Sequence, residues 1–280
     1  MDTTLILLPF QQTDATSSTW CIARILYPSS DVAPLLQALS PGGVSYYPDN
    51  PENGRARGLL HMDLHFPGWM DVVRKFVPDP ASIEIVPHAG YDASWRLPPE
   101  PMPIGGKLRV APTSFAEGAP DDIVLDPGLA FGDFRHPTSR LCTDAIMEVA
   151  RPEASLIDVG CGSGILFLVA ARLGLKSLAA TDINPYARFV AERNAALNGV
   201  EIAITHDSPD ARFDIVVANV WIRAFPEIAP PLYDLVADGG RLIVSGFGPH
   251  DADFVSDCFP EMRLERRELH SWCALVGTRA

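Results

Sequence analysis

Residues 156–182 constrain this chain more than any other stretch. Leu156, Ile157 and Val159 form a short apolar run that breaks into Gly160-Cys161-Gly162-Ser163-Gly164. A helix-period segment follows, with Ile165, Leu168, Val169 and Leu173 on one face. A second apolar run, 178–181, ends at Asp182. Strand, glycine turn, helix and a strand ending in an acid make a βαβ unit suited to a nucleoside. The glycines let the backbone approach a ligand and aim free N–H groups at it, and the carboxylate can accept from both ribose hydroxyls. A glycine turn with no ligand would leave the acid at this spacing unexplained.

A dinucleotide fingerprint would continue as G-x-G-x-x-G, whose last glycine permits close helix packing at a pyrophosphate. Here the spacing is G-x-G-x-G and position 167 is Phe. The acidic-x-G-x-G-x-G pattern from Asp158 to Gly164 resembles motif I of the S-adenosylmethionine-dependent methyltransferases. That resemblance implies that Asp182 takes the ribose of the cofactor.

Length and charge narrow the rest. A chain of 280 residues suits one large or two small domains, and 47% hydrophobic with 20% charged residues describes an ordinary globular protein. No run approaches the ~18 apolar residues of a membrane span. The start, MDTTLILLPFQQ, puts an acid rather than lysines before a very short apolar run, unlike a signal peptide. Five cysteines (Cys21, Cys142, Cys161, Cys258, Cys273) are odd in number and lack C-x-x-C spacing. This argues against a disulfide framework or zinc site, and for a reducing cytoplasm. The net charge of −13, from 22 Lys and Arg against 35 acids, disfavours direct nucleic-acid binding and suits a basic protein or a small molecule.

Along the amino-terminal third, the pattern predicts a strand at 20–27 and a helix at 33–39, capped by Asp31 and stopped by Pro41-Gly42-Gly43. A strand at 43–47 and a turn-rich loop through 58 come next. Residues 58–66 then alternate, with Leu60, Met62, Leu64 and Phe66 opposite His61, Asp63 and His65. A helix at 68–77 and a strand at 82–87 complete two βαβ-like halves, hence a ferredoxin-like α+β domain over 1–92. His61 and His65 would lie roughly 13 Å apart on a strand, too far to share one ion, so a solvated strand face is the reading.

Residues 93–122, rich in proline and polar turns, read as a linker carrying one strand at 107–111. From 123 to 280 strands and helices alternate: helices at 138–149, 185–198 and 226–237, strands at 202–205, 213–220 and 241–247, a turn at Asp238-Gly239-Gly240, and a terminal hairpin. The alternation implies a mostly parallel, doubly wound sheet. Asn219 falls at the end of the fourth parallel strand, where open α/β sheets keep their ligands. Its side-chain carbonyl can accept from an amine and aim the lone pair, unless it merely ends a strand. Phe131, Phe134 and Trp221 can wall a site and steady a sulfonium, or serve as packing. Thr138 or Ser139 offers a capping oxygen after His136-Pro137.

One segment is more specific than motif I. Residues 125–142, LDPGLAFGDFRHPTSRLC, are similar to LDPGLAFGTGTHPTTRLC of the PrmA family, the bacterial methyltransferases of ribosomal protein L11. ASWRLPPEPMPIGGKLRVAPTSF, TDINPYARFVAERNAALNGV, VVANV and SWCALVGTR also resemble family segments, so the likeness extends over nearly the whole chain. It implies an α/β fold, a class I methyltransferase Rossmann-like seven-stranded sheet, with the ferredoxin-like domain capturing a protein substrate. It implies S-adenosylmethionine as cofactor, held by Phe131, Gly132, Thr138, Asp158, Gly160, Cys161, Gly162, Gly164, Asp182, Ile183 and Asn219, with Asn219 also catalytic and no metal. The implied reaction is N-methylation of a lysine ε-amine or an α-amine of ribosomal protein L11, or of a similar basic protein, by a cytoplasmic monomer. The chain departs from the pattern at Asp133, Phe134 and Arg135, where the family has Thr-Gly-Thr in a lid over the cofactor's methionine end, and at Trp221 in place of leucine. Two other readings accompany this one: a small-molecule or peptide methyltransferase with an altered lid, and a cofactor-binding module without turnover.

Overall fold

The computed structural model describes residues 20–28, 45–52, 55–63, 69–76, 83–87, 101–106, 108–112, 119, 121–128 and 130–280. Near the amino terminus, β1 (Trp20–Pro28), β2 (Ser45–Glu52), β3 (Arg55–Asp63) and β4 (Ile83–Pro87) form an antiparallel sheet in the order β2-β3-β1-β4. Helix α1 (Trp69–Phe76) precedes β4 and buries Val73. This order puts β1 and β3 at the centre and β2 and β4 at the edges. The helix expected at 33–39 lies outside the described residues, as do Leu64, His65 and Phe66. The loop expected at 48–58 is a correction: Asp49 pairs with Arg57 and Glu52 with Arg55, so most of it forms the arms of a hairpin. Between those arms the sequence is Asn53-Gly54, a dipeptide that favours a two-residue hairpin turn.

The expected linker is also corrected. Residues 102–112 hold β5 (Met102–Gly105) and β6 (Leu108–Pro112), and β6 runs parallel to β7 (Asp122–Leu125). Ile104, Leu108 and Val110 join the same apolar core as Ile123, Leu125, Ile165 and Leu168. Arg109 Nε donates to Asp122 Oδ1 at 2.7 Å, tying the two parallel strands. The strand expected at 107–111 is β6; the density of prolines hid only its partner β5, and inward residues of both complete the core.

The main sheet contains β8 (Ser155–Val159), β9 (Ser177–Thr181), β10 (Ala203–Thr205), β11 (Phe213–Asn219), β12 (Val236–Phe247), β13 (Arg263–Leu269) and β14 (Trp272–Thr278). Their order is β10-β9-β8-β11-β12-β14-β13, parallel except that β14 runs against both neighbours. The helices are α2 (Pro137–Val149), α3 (Ile165–Arg172), α4 (Pro185–Leu197), α5 (Phe225–Leu235) and α6 (Ala252–Asp257). Alternation along the strands builds two cores. Leu156, Ile215, Val217 and Ile243 face the one containing α3, while Ile157, Val216, Ala218 and Val244 face the one containing Phe225 and Leu232 of α5. The helix expected to reach 237 ends at Leu235, and the expected turn at 238–240 lies within β12 as a bulge: Val236 pairs with Phe213, and Arg241 with Ile215. Strand order reverses between β8 and β11, which puts a crevice beyond their carboxyl ends. Among the described residues no helix is long and apolar enough to cross a membrane.

Candidate functional site

The glycine turn between β8 and α3 adopts positive φ at Gly160 (74°), Gly162 (55°) and Gly164 (86°). At Gly162 an added Cβ would collide with the Phe131 carbonyl, so closeness as well as φ demands glycine. The expectation of free turn amides is overturned. Gly160 and Cys161 N–H groups donate to Thr181 O at 2.8 and 3.0 Å, and Gly162 N–H donates to Asp182 Oδ2 at 3.0 Å. Ser163 N–H donates to Phe131 O and Gly164 N–H to Cys161 O, both at 2.8 Å. Every amide from 160 to 164 is thus used inside the protein, and the turn is not an anion nest.

Acceptors, in contrast, are left over. Asp158, one residue before the end of β8, is 0% exposed, and among the described residues neither of its carboxylate oxygens finds a hydrogen-bond partner. Burial pushes its pKa up to about 7; the nearby Phe167 amide, outside hydrogen-bond geometry, pulls the other way, and the charge of Asp182 adds to the rise. Asn219 closes β11 beside β8 and β12, and its buried Oδ1 likewise has no partner among the described residues. Asp182 accepts from Gly162 N–H and, through Oδ1, from Asn184 N–H at 2.8 Å, leaving a lone pair on each oxygen. Ile183 beside it is 79% exposed. A crevice with surplus buried acceptors and no free turn amides suits a ligand that carries donors or positive charge, not a pyrophosphate.

Phe131 and Gly132 lie across the turn. The Phe131 ring is 52% exposed and meets His136 edge-on at 5.2 Å, and His136 meets Trp272 at 4.4 Å. His136 also caps α2: Nδ1 accepts from Thr138 N–H at 3.4 Å and lies 2.7 Å from Thr138 Oγ1. The expected hydroxyl cap is therefore replaced by a histidine cap. Thr138 is fully buried with its hydroxyl turned onto that ring, in contact with His136. Burial lowers the His136 pKa, with Asp133 opposing. As an Nδ1 acceptor, neutral His136 carries its proton on Nε2 and is a donor there.

For Phe134 the structure decides between the two readings. The residue takes φ 66° with its side chain 2% exposed, so the ring joins the apolar core and is packing, not wall. Arg135 folds back on Asp133, whose Oδ1 accepts the Arg135 N–H at 3.1 Å and whose Oδ2 lies 3.3 Å from the guanidinium. Trp221 remains at the surface, 68% exposed, with the Arg223 guanidinium 4.9 Å from its ring centre. Cys161 is nearly buried, and burial holds its thiol well above the usual range.

Two site residues escaped the sequence reading, Ser163 and Asn194. Ser163 Oγ donates to Gly132 O at 2.6 Å, and Asn194 Nδ2 donates to Ser163 O at 2.8 Å. The available signal was the pair Asn194 and Asn198, spaced by four with Ala195 and Ala196 between them.

The family model for ribosomal protein L11 methyltransferase (PrmA) matches residues 77–280. A ribosomal protein L11 methyltransferase from Burkholderia mallei (strain NCTC 10229) is 38% identical over 186 residues, 64% of this chain and 62% of its own length. One from Geobacter sulfurreducens is 40% identical over 190 residues, 65% of this chain and 62% of its own length. The solved structure of a ribosomal protein L11 methylase from Lactobacillus delbrueckii subsp. bulgaricus is similar with TM-score 0.59 and 31% identity, covering 64% of this chain and 98% of that one. The matched part of this chain thus spans somewhat under two thirds of those curated relatives, and the family match leaves the first 76 residues outside it.

Proposed function

This chain belongs to the PrmA family of ribosomal protein L11 methyltransferases, and from that premise we propose that it methylates an amino group, a lysine ε-amine or an α-amine, of ribosomal protein L11 or a similar basic protein. The observation that carries the reading is the set of buried acceptors without donors, Asp158 and Asn219, at the carboxyl edge of the sheet. S-adenosylmethionine fits that surplus, because it brings hydroxyl donors and two positive charges. When bound it supplies an electrophilic methyl group.

The protein's own contribution is alignment, exclusion of water and charge balance. Asp182 would accept from the ribose hydroxyls with its remaining lone pairs. Asp158 would give up its proton and balance positive charge. Asn219 Oδ1 would accept an N–H of the incoming amine and turn the nitrogen lone pair toward the methyl group. That amine must arrive neutral, although a free lysine has a pKa of ~10.4. Apolar walls such as Phe131 and Trp221 disfavour its charged form. Residues 1–92 would capture the acceptor protein, and the acidic net charge of −13 favours a basic one. The four cysteines described are all unpaired, in keeping with a reducing cytoplasm.

The test is tritiated S-adenosylmethionine with purified ribosomal protein L11, and with lysate from cells lacking this protein. Label on L11 or one other small basic protein is the expected result. Label confined to the small-molecule fraction would overturn it in favour of a small-molecule methyltransferase, and binding of cofactor with no transfer would mark a module without turnover.

A further inference from the structure

Three separated segments meet at the glycine turn. Ser163 is fixed to the overlying strand of chain by two bonds, its N–H to Phe131 O at 2.8 Å and its Oγ to Gly132 O at 2.6 Å. Asn194 of α4 grips the same assembly from the other side. Its Nδ2 donates to Ser163 O at 2.8 Å and to Asp126 O at 3.0 Å, and its Oδ1 accepts from Asp126 N–H at 3.0 Å. Ser163 and Asn194 are both fully buried, so each of these bonds forms where water cannot replace it. The contact is also as close as two backbones allow. Gly132 has φ 108°, and an added Cβ there would sit 2.6 Å from Ser163 Oγ; on the facing side an added Cβ at Gly162 would strike Phe131 O.

We infer that Ser163 and Asn194 are positioning residues that hold residues 126–128 and 130–132 at a fixed height over the glycine turn, so that the cover of the cofactor site exists before the cofactor arrives. The inference rests on the cofactor reading above. A cover held by buried bonds need not be ordered by the ligand, and the entropy of fixing it is not charged against binding. The bracket also sets where Phe131, the exposed ring of that cover, stands over the glycine turn. Misplacement of about 1 Å is enough to impair an in-line transfer.

The molecule contains its own control. Asn198, one helical turn beyond Asn194, clamps the backbone of Val124 in the same manner, with Oδ1 accepting from Val124 N–H at 3.0 Å and Nδ2 donating to Val124 O at 2.7 Å. Its side chain bonds no residue of the glycine turn. A merely structural role predicts the same consequences for Asn194→Ala and Asn198→Ala; a positioning role predicts different ones.

The experiment measures amide hydrogen exchange over 126–134 in the free protein, and calorimetric affinity for S-adenosylhomocysteine, in wild type, Ser163→Ala, Asn194→Ala, Asn198→Ala and the Ser163→Ala/Asn194→Ala double variant. Ser163→Ala removes one hydroxyl and keeps the test usable if Asn194→Ala folds poorly. The expected result is exchange at least tenfold faster over 126–134 and affinity at least tenfold weaker in Ser163→Ala and in Asn194→Ala. Asn198→Ala, though less stable, keeps both within threefold. The double variant loses about as much affinity as the worse single one, because both release the same cover. Equal effects of Asn194→Ala and Asn198→Ala, unchanged exchange over 126–134, or multiplying losses in the double variant would each overturn the inference. A wild-type protein that does not bind S-adenosylhomocysteine would instead count against the cofactor reading, while the exchange comparison still decides whether the bracket holds the cover.

Discussion

The four-stranded amino-terminal sheet and the seven-stranded carboxy-terminal sheet differ in how they are paired. In the amino-terminal sheet every pairing is antiparallel, β2 and β3 are joined as a hairpin, and the family match begins only at residue 77. In the carboxy-terminal sheet the pairing is mostly parallel and long-range, three glycines of one turn hold positive φ, a carboxylate is buried without a partner, and the family match runs to the end. Transfer of a methyl group restricts a site to a narrow geometry, whereas capture of a protein needs a stable surface whose sequence is free to follow its partner. On the proposed reading the amino-terminal unit does the capturing, and it is then the part that can diverge while the chemistry stays.

Removal of residues 1–100 gives the largest effect expected from that contrast. The remaining chain should bind S-adenosylmethionine within threefold of wild type while kcat/KM for the acceptor protein falls about a thousandfold, the loss of roughly 4 kcal/mol of docking. Steady-state kinetics beside calorimetry makes the comparison. Full acceptor activity in the shortened chain would mean that recognition belongs to the carboxy-terminal sheet as well.

Within that sheet, Asn219→Ala should lower kcat about a hundredfold and leave cofactor affinity within threefold, since Oδ1 orients the acceptor and the fold does not depend on it. An unchanged kcat would reduce Asn219 to the end of a strand. Asp182→Ala should do the reverse, weakening cofactor binding by about 1.5–3 kcal/mol in calorimetry. Part of that loss comes from the freed Gly162 and Asn184 amides, so Asp182→Asn, which keeps one acceptor oxygen, should fall between the two.

Legibility followed the same division. The βαβ unit, the parallel sheet and the terminal hairpin were readable because their apolar periods are long and their turns carry glycine or proline at the boundaries. The places of Asn219, closing one strand, and Asp182, following another, were readable because an apolar run stops at each. The role of the turn amides was not, since whether Gly160 N–H meets a ligand or Thr181 O depends on how β9 lies beside it. Phe134 stayed open between wall and packing because a bulky residue at φ 66° in a surface-reading segment gives no sign that its ring turns inward. The strand at 107–111 was readable, but its partner at 102–105 was obscured by Pro101 and Pro103, which forecast a linker while Ile104 was filling the core. In each case the missing knowledge was tertiary, a neighbour distant in sequence.

The smallest expected effect isolates the carboxy-terminal sheet by its charge. Asp158 has its pKa raised from 3.8 to about 7 by burial, so the folded chain keeps a proton that the unfolded chain has already lost. Between pH 4 and 7 the native state therefore binds more protons than the unfolded one, and stability from this group declines as pH rises through that window and stays lost above it. A tenfold change in proton affinity between the two states corresponds to about 1.4 kcal/mol, and local relaxation consumes part of the total. Asp158→Asn should thus stabilise the free protein by about 1–2 kcal/mol at pH 8 and by little at pH 4. The same substitution should weaken S-adenosylmethionine binding, because a neutral amide cannot balance positive charge. Denaturant unfolding at the two pH values, with hydrogen exchange in β8 as the local reporter and in β1 as the reference, tests both halves. A variant less stable than wild type at pH 8 would show that Asp158 is partnered in solution and that its carboxylate is not held for a cation. Equal stabilisation of β1 and β8 would show that the two sheets unfold as one unit, and the division of labour between them would then have no counterpart in their stability.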